Sequence, residues 1–179
     1  MYAPIKIGFS FSGGGARAAA QIGIIKAFEE HGIVAHEVVG TSGGAIIAAM
    51  YAAGLSSKEM SELAAEGNVF KIYKAGLPLK GLTNLNYLKQ LLEKYLGIDN
   101  FGNLKIPLSV VAANLVTGEK EFFNKGNLYD AVMASCAIPM VFKPINIKGQ
   151  IYADGGIFDN LPIGPLRPHC DVTIGMNVM

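Results

Sequence analysis

Two glycine-rich stretches and one acidic turn carry the residue types that could do chemistry. Gly40-Thr41-Ser42-Gly43-Gly44 fits the pattern G-x-S-x-G, with Val38-Val39 before it and the apolar run Ala45–Ala53 after it. In that context a serine sits on a sharp strand-to-helix turn, and its hydroxyl stands out at the end of a sheet. The N-terminus of the following helix then favours negative charge developing beside it. The flanking glycines remove Cβ atoms where the chain folds closely on itself. Taken alone, the pattern also fits a structural glycine turn with a capping serine; the placement between strand and helix favours a nucleophile.

A serine nucleophile needs a base, and the usual triad supplies a histidine held by an acid. The chain has three histidines. His31 falls at a helix end, and His36 and His169 each precede a strand. Active sites of open α/β sheets lie at the carboxyl ends of strands, so none of the three is well placed. Asp154 is better placed. It emerges from the extended Ile151-Tyr152-Ala153 and is followed by Gly155-Gly156, which makes it a turn-former or a base placed for close approach. Asp159 is its neighbour and rival, but Asp159-Asn160-Leu161-Pro162 reads as a turn.

The second glycine stretch, Ser12-Gly13-Gly14-Gly15-Ala16-Arg17, follows a strand and opens a helix. Gly13-x-Gly15-x-x-Ala18 satisfies the dinucleotide pattern G-x-G-x-x-G/A. That reading also requires an acid at the exit of the second strand, yet the strand exits into the Ser42 turn, and Glu37 lies at its opposite end. The dinucleotide reading fails its own test. The other reading is an oxyanion hole: consecutive glycines expose backbone N–H groups at a helix N-terminus, next to the exit of the strand that carries Ser42. Arg17 either adds positive field there or ties the loop to a carboxylate.

These side chains need elements to hold them. Ile5–Phe11 reads as a buried strand, and the stretch after the glycine loop as a helix with Ile22, Ile25 and Phe28 on its apolar face and Gly32 as its stop. His36–Gly40 is a second strand, and Gly44–Gly54 a helix apolar nearly all round. Ser56 and Glu59 have capping-box spacing. Leu88, Leu91, Leu92, Tyr95 and Leu96 form one helical stripe. Ile106–Val116 is a strong central strand, with a turn into a further strand through Thr117–Asn124. Asn127–Phe142 predicts a helix terminated by Pro139. Ile145–Gly156 predicts a hairpin turning at Lys148-Gly149, and Asp171–Val178 a last strand. Alternating strands and helices predict an α/β domain, three layers α/β/α around a mainly parallel sheet. Its 179 residues fit one domain. The end of the chain directly after a strand suggests that C-terminal helices are lacking.

With "SGGGAR", "GTSGG" and "ADGGIFDNLPI" in that order, and "ASCAIPMVFKPI" and "NFGNLKIPLSVVAANLVTGEKEFFNKG" between them, the chain resembles the patatin-like phospholipase family, in particular its short bacterial members. The resemblance spans nearly the whole chain. It implies the patatin-like α/β fold and lipid acyl hydrolysis by a serine–aspartate dyad, with no histidine, metal or other cofactor. Carried over, Ser42 is the nucleophile within the elbow Gly40, Thr41, Gly43 and Gly44. Asp154 is the proton acceptor in its motif with Gly155 and Gly156. Gly13, Gly14, Gly15 and Arg17 line the oxyanion side. Two positions depart from the family pattern: Ala18 stands where glycine is common, and Gln21 where histidine is common. The runner-up reading is a catalytically silent lipid- or acyl-binding module.

Composition narrows the setting. Net charge is +1, which gives no bulk electrostatic case for nucleic acid. Charged residues are 16% and hydrophobic residues 51%, so much of the chain is buried or faces apolar partners. The longest apolar segment, Ala45–Leu55, is too short to span a bilayer. Cys136 and Cys170 define neither a disulfide framework nor a metal spacing. The expected setting is cytoplasmic, with a lipid or acyl-ester substrate and transient contact with a membrane surface. Val69–Leu85, irregular and carrying Phe70, Ile72, Tyr73, Leu77 and Leu79, is a candidate lid or membrane-facing flap.

Overall fold

The computed structural model describes residues 4–66 and 85–179. All of the candidate lid except Leu85 therefore lies outside the described residues. Strands β1 (Ile7–Phe11), β2 (Glu37–Thr41), β3 (Leu108–Asn114) and β7 (Val172–Met176) form a parallel array in the order β3-β2-β1-β7. Strands β4 (Glu119–Phe123), β5 (Ile145–Ile147) and β6 (Gln150–Asp154) extend it in antiparallel fashion beyond β3. This is the α/β class with a parallel-centred sheet that the alternation of elements predicts.

The register around β3 positions the site. β2 pairs with β3 up to Thr41 opposite Val111. β6 pairs with β3 from Asp154 opposite Ala112 to Tyr152 opposite Asn114. β4 pairs with Val110–Asn114 as well, and a strand has only two edges. β2 and β6 therefore share one edge of β3 and run toward each other along it. Their last residues meet tip to tip between Val111 and Ala112, and this juxtaposition brings the end of β6 to the exit of β2.

Helix α1 (Ala20–Glu30) follows a 3₁₀ turn at Gly15–Ala19. Helix α2 (Gly43–Ala53) is buried at every residue, as a helix apolar all round must be. Gly54 ends it in the left-handed conformation, φ 92°. Helix α3 (Ser57–Ala65) has both halves of the expected capping box between Ser56 and Glu59. Helix α4 (Asn86–Leu96) buries Leu88, Leu91 and Leu92.

Helix α5 (Leu128–Ser135) ends before Pro139 is reached, contrary to expectation. The chain turns at Cys136–Ile138, where the Ala137 carbonyl accepts the Asp154 N–H at 2.9 Å. The β5–β6 hairpin turns at Lys148-Gly149, both at positive φ, 51° and 83°, as a two-residue turn of this type requires.

The main core packs helices against the face carrying Phe9, Phe11, Val38, Leu108 and Val110. A smaller cluster of Val39, Val111 and Leu166 lies on the other face.

The N-terminus of α2 is pressed onto the end of β1. A Cβ on Gly44 would stand 2.5 Å from the Phe11 carbonyl oxygen and closer still to that of Ser12. Gly23, in the middle of α1, has open space where its Cβ would be. The same substitution has opposite expected outcomes at the two sites. Gly44→Ala lowers unfolding free energy by about 2–3 kcal/mol because backbone cannot yield. Gly23→Ala raises it by about 0.5–1 kcal/mol through lost chain entropy. Urea denaturation midpoints at unchanged m-value read both.

Candidate active site

Ser42 occupies the junction of β2 and α2 with φ 53° and ψ −126°. A non-glycine residue held there stores about 1–3 kcal/mol, and the surrounding structure must hold it in place. Its N–H donates to Ser135 Oγ at 2.8 Å, and its carbonyl accepts the Ala45 N–H at 2.9 Å. Thr41 just before it is fully buried, and its Oγ1 donates to the Asp159 carbonyl at 2.8 Å.

Asp154, the last residue of β6, is 7% exposed. Ser42 Oγ donates to its Oδ2 at 2.6 Å, and the Gly156 N–H donates to its Oδ1 at 2.8 Å. Burial pushes the carboxyl above its ordinary range, opposed by these two hydrogen bonds, which favour the charged form. Gly155 must be glycine: a Cβ there would run into the Val111 carbonyl group, at the point where β2 hands over to β6 along β3. The structure thus brings together Ser42 and Asp154, 112 residues apart in sequence, in a hydrogen bond short enough for direct proton transfer.

The first glycine loop lies alongside. An ideal Cβ on Gly13 would stand 3.2 Å from Ser42 Cβ, and one on Gly43 would stand 3.2 Å from the Gly15 nitrogen. The Gly13 N–H donates to the Asn160 carbonyl at 3.0 Å, so Gly13 tethers the loop and has no amide left for a ligand. Among the described residues the amides of Gly14, Gly15 and Gly43 donate to no other group. Open N–H groups on the glycine loop and at the N-terminus of α2 are the donor type that stabilises an oxyanion.

Arg17 ties the loop to no carboxylate among the described residues. It is exposed, and its Nη2 reaches Met179 Sδ at 3.4 Å. Gln21 is fully buried, and its Nε2 donates to the carbonyls of Ser12 and Met176, both at 3.0 Å. It braces the exits of β1 and β7 against each other.

The rival acid is engaged elsewhere: Asp159 Oδ2 pairs with Lys120 Nζ at 2.7 Å. The histidines are engaged elsewhere too. His31 Nδ1 lies 2.7 Å from the Ala27 carbonyl, His36 Nδ1 accepts the Ile7 N–H at 3.1 Å, and His169 Nδ1 lies 2.9 Å from Glu37 Oε2. All three sit away from the strand exits. Among the described residues no group of three or more His, Cys, Asp or Glu is arranged to hold a metal ion. No helix among them is long and apolar enough to cross a membrane.

Sequence reasoning missed two residues that hold the site, Ser135 and Asn160. Ser135 carries one faint signal, a lone hydroxyl closing the apolar run Ala131–Ala134. Asn160 has none beyond its place in a turn.

Comparison with known proteins shows the family of the chain and its fold. The sequence model of patatin-like phospholipases matches residues 9–167. An NTE family protein of Mycobacterium tuberculosis is 29% identical over 176 residues, covering 97% of this chain and 49% of that protein. Lysophospholipase nte1 of Aspergillus niger is 29% identical over 167 residues, covering 90% of this chain and 11% of that protein. The chain thus spans about half the length of the mycobacterial relative. The crystal structure of VipD from Legionella pneumophila shares the fold, with a TM-score of 0.56 at 22% identity over 89% of this chain and 47% of that one.

Proposed function

The chain belongs to the patatin-like phospholipase family, and from that premise we propose that it is a lipid acyl hydrolase working through Ser42 and Asp154. The observation that carries this reading is the 2.6 Å hydrogen bond from Ser42 Oγ to a buried carboxylate, made by a serine held at positive φ on a strand–helix elbow.

In the proposed cycle Ser42 Oγ attacks the ester carbonyl carbon as its proton passes to Asp154 Oδ2. Negative charge develops on the carbonyl oxygen, and the amides of Gly14, Gly15 and Gly43 receive it. Each such donor is worth about 3–4 kcal/mol in measured cases. Collapse breaks the bond to the leaving alcohol, which takes the proton from Asp154. Water then attacks the acyl–serine ester, giving its proton to Asp154, and the second collapse releases the fatty acid and returns that proton to Ser42 Oγ. The raised carboxyl of Asp154 makes it a stronger base than an exposed aspartate.

A lipid substrate is met at a surface. Ile157 and Phe158, in the turn directly after Asp154, are each 47% exposed and suit transient contact with acyl chains, with the chain peripheral to the membrane. The alternative, a silent acyl-binding module, leaves the strained serine and the open amides without a use.

A fluorophosphonate probe decides between the two. The wild-type protein is expected to label stoichiometrically and Ser42→Ala not at all, followed by mass spectrometry of the Ser42 peptide. Folded wild-type protein that stays unlabelled overturns the hydrolase reading. Hydrolysis of a panel of phospholipids and lysophospholipids then fixes the substrate class.

A further inference from the structure

Ser42 and Asp154 come from different strands, yet both are held by the same turn. Ser135, the last residue of α5, accepts the Ser42 N–H on its side-chain oxygen at 2.8 Å. Ala137, just beyond it, accepts the Asp154 N–H on its carbonyl at 2.9 Å. Ser135 is fully buried, so water does not compete for its hydroxyl. The C-terminal turn of α5 is a bracket that fixes the separation of the two reacting side chains from behind.

The two halves of the bracket differ in kind. The Asp154 contact is backbone to backbone and survives any side-chain change at residue 137. The Ser42 contact depends on one hydroxyl. The Ser42 amide lies where the β2 ladder has ended and α2 has not yet begun to pair its amides, so neither element supplies it with an acceptor. Without Ser135 Oγ, that amide would be buried with nothing to receive it, at a residue already held in a strained conformation.

We propose that Ser135 is a positioning residue for Ser42: its hydroxyl holds the elbow amide, and through it the direction in which Ser42 Oγ faces Asp154 and the incoming carbonyl. It touches no substrate atom. The inference rests on the hydrolase reading above, and its consequence lies in orientation, to which near-attack geometry is sensitive.

The test compares Ser135→Ala with Ser57→Ala in the full chain. Ser57, at the start of α3, is also buried and bonded through its hydroxyl to Glu29 of α1, remote from the site. Both variants lose a buried hydrogen bond, so both are expected to melt a few degrees lower. Only Ser135→Ala is expected to lower kcat for a short-chain ester, and the rate of fluorophosphonate labelling, by about 10–100-fold, with KM within about twofold.

The Ser42 amide gives a readout independent of turnover. Its hydrogen exchange is expected to speed up about tenfold or more in Ser135→Ala and to stay unchanged in Ser57→Ala. A folded Ser135→Ala with kcat within twofold of wild type, or with unchanged Ser42 exchange, overturns the proposal. A wild-type protein that neither labels nor hydrolyses, with faster Ser42 exchange in Ser135→Ala, overturns the hydrolase reading while supporting the brace on the elbow.

Discussion

Asp154→Asn is expected to lower kcat/KM for a short-chain ester by about 10²–10⁴-fold, the range for losing a positioned general base, while making the protein more stable at neutral pH. The first effect follows from chemistry. Asparagine keeps the shape and can still accept the Gly156 N–H, but it cannot take the Ser42 proton. The second follows from burial. The Asp154 carboxyl is held above its unfolded value chiefly by desolvation. Between the unfolded and the folded pKa the native state binds more protons than the unfolded chain, so stability falls as pH rises through that window. Asparagine carries no charge to desolvate. Thermal melting should therefore show Asp154→Asn above wild type at pH 8, with the gap closing toward acid.

With Asp154 as the proposed base, the acid limb of activity should lie above the ordinary carboxylate range of about 4. His31→Ala, His36→Ala and His169→Ala should each retain most activity, since all three imidazoles are bonded at other places. A His169→Ala enzyme as inactive as Asp154→Asn would make this a triad hydrolase and end the dyad assignment. An Asp154→Asn protein that melts lower at pH 8 would refute the desolvation account even if the activity result held.

The elbow was legible in the sequence because it is local. Two β-branched residues, a G-x-S-x-G turn and an apolar run state a strand, a sharp corner and a buried helix within one window. The caps at Ser56 and Gly54 and the Lys148-Gly149 hairpin are local in the same way, and each stands as expected. What brings Asp154 to Ser42 is not local. It depends on β6 running antiparallel along the edge of β3 that β2 vacates after Val111, and no pattern in Gln150–Asp154 encodes that register. Family resemblance supplied the pairing that periodicity did not.

The end of α5 lies a few residues short of where the sequence places it. Pro139 is the obvious breaker, yet the helix already stops at Ser135, and beyond it the Ala137 carbonyl bonds a strand with which it shares no local signal. The sequence leaves Arg17 two roles, positive field beside the oxyanion or a tie to a carboxylate, and the structure sets its Nη2 against a methionine sulfur; a lone arginine in a glycine loop does not say which way it points.

Ser42→Gly and Ser42→Ala should both lose ester hydrolysis by about 10⁴-fold or more, as expected when a nucleophile is removed, yet they should differ in stability. Both variants delete the hydroxyl and leave Asp154 Oδ2 without its donor, so that cost cancels in the comparison. The backbone term does not cancel. Alanine keeps a Cβ at φ 53°, ψ −126°, and with it a strain of about 1–3 kcal/mol. Glycine occupies that region freely but gives back about 0.4–1 kcal/mol to the greater freedom of its unfolded chain. Net, Ser42→Gly should be the more stable by about 1 kcal/mol, read as a higher urea midpoint at the same m-value. At an unstrained position alanine would win, so the sign alone decides. A Ser42→Ala protein as stable as Ser42→Gly would show that residue 42 is not held in strain. The elbow would then be an ordinary turn, and the restraint assigned to Ser135 would have nothing to oppose.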